Sequence, residues 1–118
     1  MIYSNMLHNP WLKFNLGNQL FVIASLLGMA HRYQTQLAFF KEWKNGRYFN
    51  LSDIPILTLP VNILFREPDF SYSIAFFDKF KNIIQHEVVG IDGYLQSAKY
   101  WQDCESVIRR NFSFKEAI

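Results

Sequence analysis

A chain of 118 residues has room for one domain around one core, and residues 1–118 are expected to form a single domain. Half of the residues are hydrophobic and 18% are aromatic, with 12 Phe, 6 Tyr and 3 Trp, which excludes a disordered chain and leaves apolar surface for a partner. The 12 Lys and Arg are scattered and the net charge is only +2, so no basic stripe tracks a phosphate backbone and nucleic acid is not an expected partner.

In chain order, Met1 to Pro10 has neither a basic start nor a sustained apolar run, so no secretory signal is expected, and the Asn-x-Ser sequences at Asn50 and Asn111 carry no weight. Trp11 to Leu16 alternates apolar and polar residues and predicts a strand, which Gly17 breaks. From Asn18 a helix is predicted to about Tyr33. Leu20, Ile23, Leu27 and Ala30 share one face, while Phe21, Ala24 and Gly28 form a second apolar face whose small residues admit a close neighbour. The apolar stretch from Leu20 to Ala30 is about half of the ~20 residues needed to span a bilayer. It is expected to be a buried helix, in a cytoplasmic protein that at most lies peripheral to a membrane.

Gln36 to Phe40 is a short apolar run of the kind found in parallel sheets covered on both faces, which completes a βαβ unit. Asn45-Gly46 marks a turn, and Pro55, Pro60 and Pro68 disfavour a long helix from Asp53 to Ser73, so the middle of the chain is expected to hold loops and short strands. Val88 to Leu95 regains strand character. Ala98 to Arg110 then places Tyr100, Trp101, Cys104, Val107 and Ile108 at helical spacing, with Ser97 as N-cap. The alternation predicts an α/β fold with a mostly parallel sheet.

Cys104 is the only cysteine, so no internal disulfide forms, a reducing compartment is the default, and no zinc pattern is present. His8, His31 and His86 lie far apart in sequence, and no metal is expected. In a parallel sheet, ligands collect where strand ends turn into helix starts. The first such junction is Leu16-Gly17-Asn18-Gln19. Gly17 would let the backbone approach a phosphate, and Asn18 and Gln19 offer side-chain donors, although the residues alone favour Asn18 as a helix N-cap over a ligand site. Neither G-x-G-x-x-G nor G-x-x-x-x-G-K-[ST] occurs.

Leu16-Gly17-Asn18-Gln19-Leu20-Phe21, with Leu27-Gly28-Met29-Ala30 after it, resembles the opening G-G-L-G-N-Q-[ML]-F pattern of alpha-1,2-fucosyltransferases, glycosyltransferase family 11. Glu67-Pro68-Asp69-Phe70-Ser71-Tyr72 is similar to the family's E-P-x-F-x-Y stretch, and Gly93-Tyr94-Leu95-Gln96-Ser97-Ala98-Lys99-Tyr100-Trp101 to its G-Y-[FW]-Q-S-x-K-Y-F segment. The resemblance runs from about Trp11 to Phe114. It implies a Rossmann-like lobe, the amino-terminal half of a GT-B-type two-lobe fold. It also implies inverting transfer of L-fucose from GDP-fucose to the 2-hydroxyl of a galactoside, with no metal or other cofactor.

On that resemblance Gly17, Asn18 and Gln19 would lie beside the donor diphosphate and stabilise charge as GDP leaves. Tyr94, Gln96, Ser97 and Lys99 would line the cleft, with contact or structural support as alternatives for each. Two departures stand out. Phe14-Asn15-Leu16 lacks the glycine pair that opens the pattern, and the family's H-x-R-R-x-D motif is not found, since Val107 and Phe112 flank Arg109-Arg110 in its place. Those arginines are expected to end a helix. The carboxyl-terminal donor-binding lobe is therefore expected to be absent and the chain to be a truncated form. The alternative is a catalytically silent binding or interaction domain derived from the family, which would self-associate or dock on a second lobe.

Overall fold

The computed structural model describes residues 1–4, 16–39, 49, 51, 54–56, 63–93, 95 and 97–112. Strand β1 (Ile2–Ser4) precedes helix α1 (Leu16–Arg32). Strand β2 (Ile63–Arg66) is followed by a 3-10 turn at Pro68–Phe70 and by two short helices, α2 (Ile74–Asp78) and α3 (Lys81–His86). Strand β3 (Val89–Asp92) leads through 3-10 turns at Ala98–Tyr100 and Gln102–Cys104 into α4 (Glu105–Asn111).

The three strands form a parallel sheet in the order β1-β3-β2, with Ile2 opposite Val89 opposite Ile63. Parallel bridges extend it beyond β1. The Ile2 N–H donates to the Gln36 carbonyl and the Ala38 N–H returns to the Ile2 carbonyl, at 2.9 and 3.0 Å, bridging Leu37 to Ile2. On the far side of that segment Phe39 bridges Ile56. Since successive backbone groups of a strand point to opposite edges, the spatial order is Ile56, Leu37, β1, β3, β2. The molecule is an α/β structure with an all-parallel sheet.

Every residue of β1 is buried, as are Val89, Gly90 and Ile91 of β3, so the middle of the sheet is covered on both faces. On β2 only Phe65 is buried, and it meets Phe76 and Phe80 with ring centroids 6.5 and 5.0 Å apart. Helix α1 supplies the other large part of the core through Val22, Ile23, Leu26 and Met29. Its Ala24 and Gly28 admit the 98–104 segment, as their small size predicts. An added Cβ on Gly28 would meet the Tyr100 carbonyl oxygen and lie 2.6 Å from Trp101 Cα.

Several sequence expectations need correction. Of the strand predicted over Trp11 to Leu16, residues 11–15 lie outside the described residues, and Leu16 is already helical. The first strand of the βαβ unit is Ile2–Ser4, three residues too short to show a period of its own and made a strand by pairing with Val89 to Ile91. Gly17 is not in a turn and Asn18 is not an N-cap, because both lie in the first turn of α1. The helix predicted over Ala98 to Arg110 is interrupted at Trp101 (φ −132°, ψ 0°) and Cys104 (φ −129°, ψ 37°), where the chain is held against α1. After the Asp53 to Ser73 stretch, the chain forms two short helices, α2 and α3, that the sequence reading did not assign. Arg109 and Arg110 do end a helix, α4, and Arg109 bonds to Glu105 one turn back.

Candidate functional site at the carboxyl edge of the sheet

Strand order reverses between β1 and β3. From β1 the chain moves outward through the Leu37 and Ile56 bridges, and the later strands occupy β1's other side. In open parallel sheets the crevice outside the carboxyl ends at such a reversal is where ligands bind. The segment leaving β1 leads to the first turn of α1, and the segment leaving β3 begins at Gly93. Leu16, Gly17 and Asn18 open α1, and the N–H groups at the very start of a helix have no partner within it. The helix amino terminus, rather than a glycine turn before it, is the element available to an anion. The structure describes the backbone of Leu16, Gly17 and Asn18 but not their side chains; Gln19 is half-buried.

The second segment is fixed by a buried carboxylate. Glu67, directly after β2, is 3% exposed, and its N–H donates to the Asp92 carbonyl at 2.8 Å. Its Oε1 accepts the Leu95 N–H at 3.3 Å and its Oε2 accepts the Tyr100 hydroxyl at 2.7 Å. The Tyr100 oxygen in turn accepts the Ser73 N–H, 2.8 Å away, at the start of α2. Burial, and then the hydrogen bond to Glu67, push the Tyr100 phenol well above its ordinary value, so it stays a donor. From α1, Ser25 is fully buried and donates to the Leu95 carbonyl at 2.6 Å.

Both backbone polar groups of Leu95 are thereby held, and Leu95 sits in the left-handed region (φ 51°) that its neighbours must enforce. Gly93 (φ 140°) lies against Glu67, where an added Cβ would come within 2.7 Å of the Glu67 Cβ. Both oxygens of Glu67 are occupied and enclosed, so the carboxylate serves as a clamp and not as an accessible base. It ties β2, β3, α2 and the Ala98–Tyr100 turn into one rigid rim.

Of the residues singled out in the second motif, the structure describes Ser97 and Lys99. The Ser97 hydroxyl caps the Ala98–Tyr100 turn by accepting the Lys99 N–H at 3.3 Å. Lys99 is exposed, with its ammonium 5.6 Å from the centroid of the Tyr72 ring. Tyr94 and Gln96 lie outside the described residues. Lys99 packs beside Gly28, about 16 Å along the α1 axis from Gly17. It therefore does not share a small pocket with Gly17, Asn18 and Gln19.

Glu67, Tyr100, Ser25 and Ser73 were not singled out as site residues from the sequence. Glu67 and Tyr100 stand in the two quoted motif matches, but nothing local pairs them, because the partners of Glu67 lie 28 and 33 residues away. Among the described residues no three His, Cys, Asp or Glu come together to hold a metal ion, and no helix is long and apolar enough to cross a membrane. The Cys104 thiol is buried, which raises its pKa and leaves little thiolate. No family model, no curated protein and no solved structure matches the chain.

Proposed function

We propose that the chain is the Rossmann-like amino-terminal lobe of a GT-B-type glycosyltransferase that moves L-fucose from GDP-fucose to the 2-hydroxyl of a galactoside. The observation that carries this reading is the reversal of strand order between β1 and β3, with Leu16–Phe21 following one strand and Gly93–Trp101 following the other. In this reading the first-turn N–H groups of α1, with Asn18 and Gln19, take the donor diphosphate and stabilise the charge that develops as GDP leaves. The Glu67 clamp keeps the opposite rim in place. The arginines that the family places on the diphosphate have no counterpart among the 118 residues, so this lobe supplies only part of the donor contacts.

A thermal-shift titration with GDP tests the reading. GDP at about ten times its dissociation constant should stabilise the protein by about 1.4 kcal/mol, a rise of several degrees, and Asn18→Ala should reduce that shift. No GDP effect on either protein would leave the first motif as a structural helix start and sink the proposal.

A second reading, a binding domain without catalysis, is favoured by one observation. Leu20, Phe21, Ala24, Trp101, Ile108 and Phe112 line a hollow of about 190 Å³ with no polar surface, and Phe21 remains 39% exposed. That reading predicts self-association or capture of an apolar dye, and a monodisperse monomer that binds no such dye would dispose of it.

A further inference from the structure

The apolar hollow between α1 and α4 has the volume of a single ring. It measures about 190 Å³, and an apolar cavity of ~150 Å³ is enough to hold a benzene. Ala24 and Ile108 are buried in its wall, and Trp101 and Phe112 are half-buried around them. Phe21 lines the same hollow and stays exposed. Of the phenylalanines whose side chains are described, it alone is exposed. An uncovered aromatic ring therefore stands beside a hollow of a ring's size, on one face of the molecule.

That arrangement selects a partner. In a two-fold pairing the same surface patch serves both copies, so whatever fills the hollow of one copy must project from the same face of the other. Phe21 meets this condition, because it stands less than one turn of α1 from Ala24, whose side chain lines the hollow. A free apolar molecule of the right size would fill the hollow and leave Phe21 in water, whereas a second copy covers both. The neighbouring charges agree. Glu105 and Arg109 flank Ile108 on α4, both exposed and bonded to each other at 2.6 Å. A uniformly acidic or basic partner would meet like charge there, while the two-fold can set each Glu105 against the partner's Arg109. The net charge of +2 adds little repulsion between copies.

We propose that this face is the contact between two copies of the chain, with Phe21 of each copy seated in the hollow of the other. The inference rests on the reading of the chain as a binding domain and deepens it by naming the partner. Two rings that each bury ~150–250 Å² make a small contact, so the dimer belongs with weak, reversible ones, with a dissociation constant on the order of 10–100 μM.

The test is sedimentation velocity of the full chain from about 5 to 500 μM, with an isotope-filtered NMR experiment on a mixture of labelled and unlabelled protein. A reversible dimer should form, and the Phe21 ring of one copy should show Overhauser contacts to the Ala24 and Ile108 methyls of the other. Phe21→Ala, at an exposed position, should weaken the dimer about 100-fold or more, since the symmetric contact loses the ring twice, and Phe21→Leu should weaken it less. A mixture of Glu105→Arg copies with Arg109→Glu copies should associate more tightly than either variant alone, a gain that the bond within one chain cannot give. A monomer across the whole range would overturn the proposal. So would an undiminished dimer in Phe21→Ala, a dimer without those contacts between copies, or no gain on mixing. A monomer that takes up an apolar dye at the hollow would overturn this inference and leave the binding-domain reading with another occupant; a monomer that takes up none would overturn both.

Discussion

Replacing Gly28 by Ala should destabilise the protein, although helix propensity by itself gives the opposite sign. In an open helix interior the change would stabilise by about 1 kcal/mol. Here the new Cβ would meet the Tyr100 carbonyl oxygen and lie 2.6 Å from Trp101 Cα and 2.8 Å from Trp101 Cβ. Ordinary carbon–carbon contact is ~3.5–4.0 Å, so the two segments must part by about 1 Å. Trp101 cannot step aside alone, because its N–H is bonded to the Ala98 carbonyl and its own carbonyl to the Cys104 N–H, each at 3.0 Å. On the other side α1 is fixed by fully buried Val22, Ile23, Leu26 and Met29. Overpacking of this kind costs about 1–3 kcal/mol, and contact with backbone puts this case at or above the upper end. The net loss is about 2 kcal/mol, which in a chain of this length lowers the melting temperature by roughly 6–10 °C. Urea unfolding followed by circular dichroism measures it, with an unchanged dependence on denaturant confirming two-state behaviour. A Gly28→Ala variant as stable as the parent, or more so, would refute the close approach of α1 to the 98–104 segment.

The Glu67 clamp makes a second prediction. Glu67→Ala leaves the Leu95 N–H and the Tyr100 hydroxyl buried without their acceptor and should cost about 3–4 kcal/mol, whereas Glu67→Gln, which keeps one oxygen, should cost about half of that. In a double-mutant cycle Glu67→Gln and Tyr100→Phe should couple by about 1 kcal/mol or more, and additivity within ~0.3 kcal/mol would rule out the bond. A third concerns pH. Asp78 accepts from Arg32, the main cause of its lowered pKa, and from the Tyr33 hydroxyl. A carboxyl with a depressed folded-state pKa contributes stability that is fully present above its unfolded value of about 3.9 and is lost as pH falls through the folded value. Both partners are more than a third exposed, so the contribution is about 1 kcal/mol at most. The stability difference between the parent and Asp78→Asn should therefore be constant from about pH 6 to 5 and shrink below about pH 4; a difference that stays constant to pH 2 would contradict the assignment.

The sequence by itself determined the α/β class, the amphipathic body of α1, a strand within the Val88 to Leu95 run, which the structure confines to Val89–Asp92, and the capping role of Ser97. Each of these rests on local information, an apolar period or a side chain that reaches its own backbone neighbour. The helical spacing of Phe77, Phe80 and Ile84 was also present, but the segment is short and follows a run of prolines. What the period could not decide was which residues begin and end each element. Ile2–Ser4 is a strand because Val89 to Ile91 pair with it, and the 98–104 segment departs from one continuous helix where it lies against Gly28. The candidate site depended still more on tertiary structure. The strand-order reversal between β1 and β3 is a property of pairings such as Ile2 with Val89, 87 positions apart, and the Glu67 clamp joins groups 28 and 33 positions apart. The cost of enclosing the polar Glu67 side chain is met by donors that only the folded chain brings within reach, and no local pattern of residues encodes that meeting.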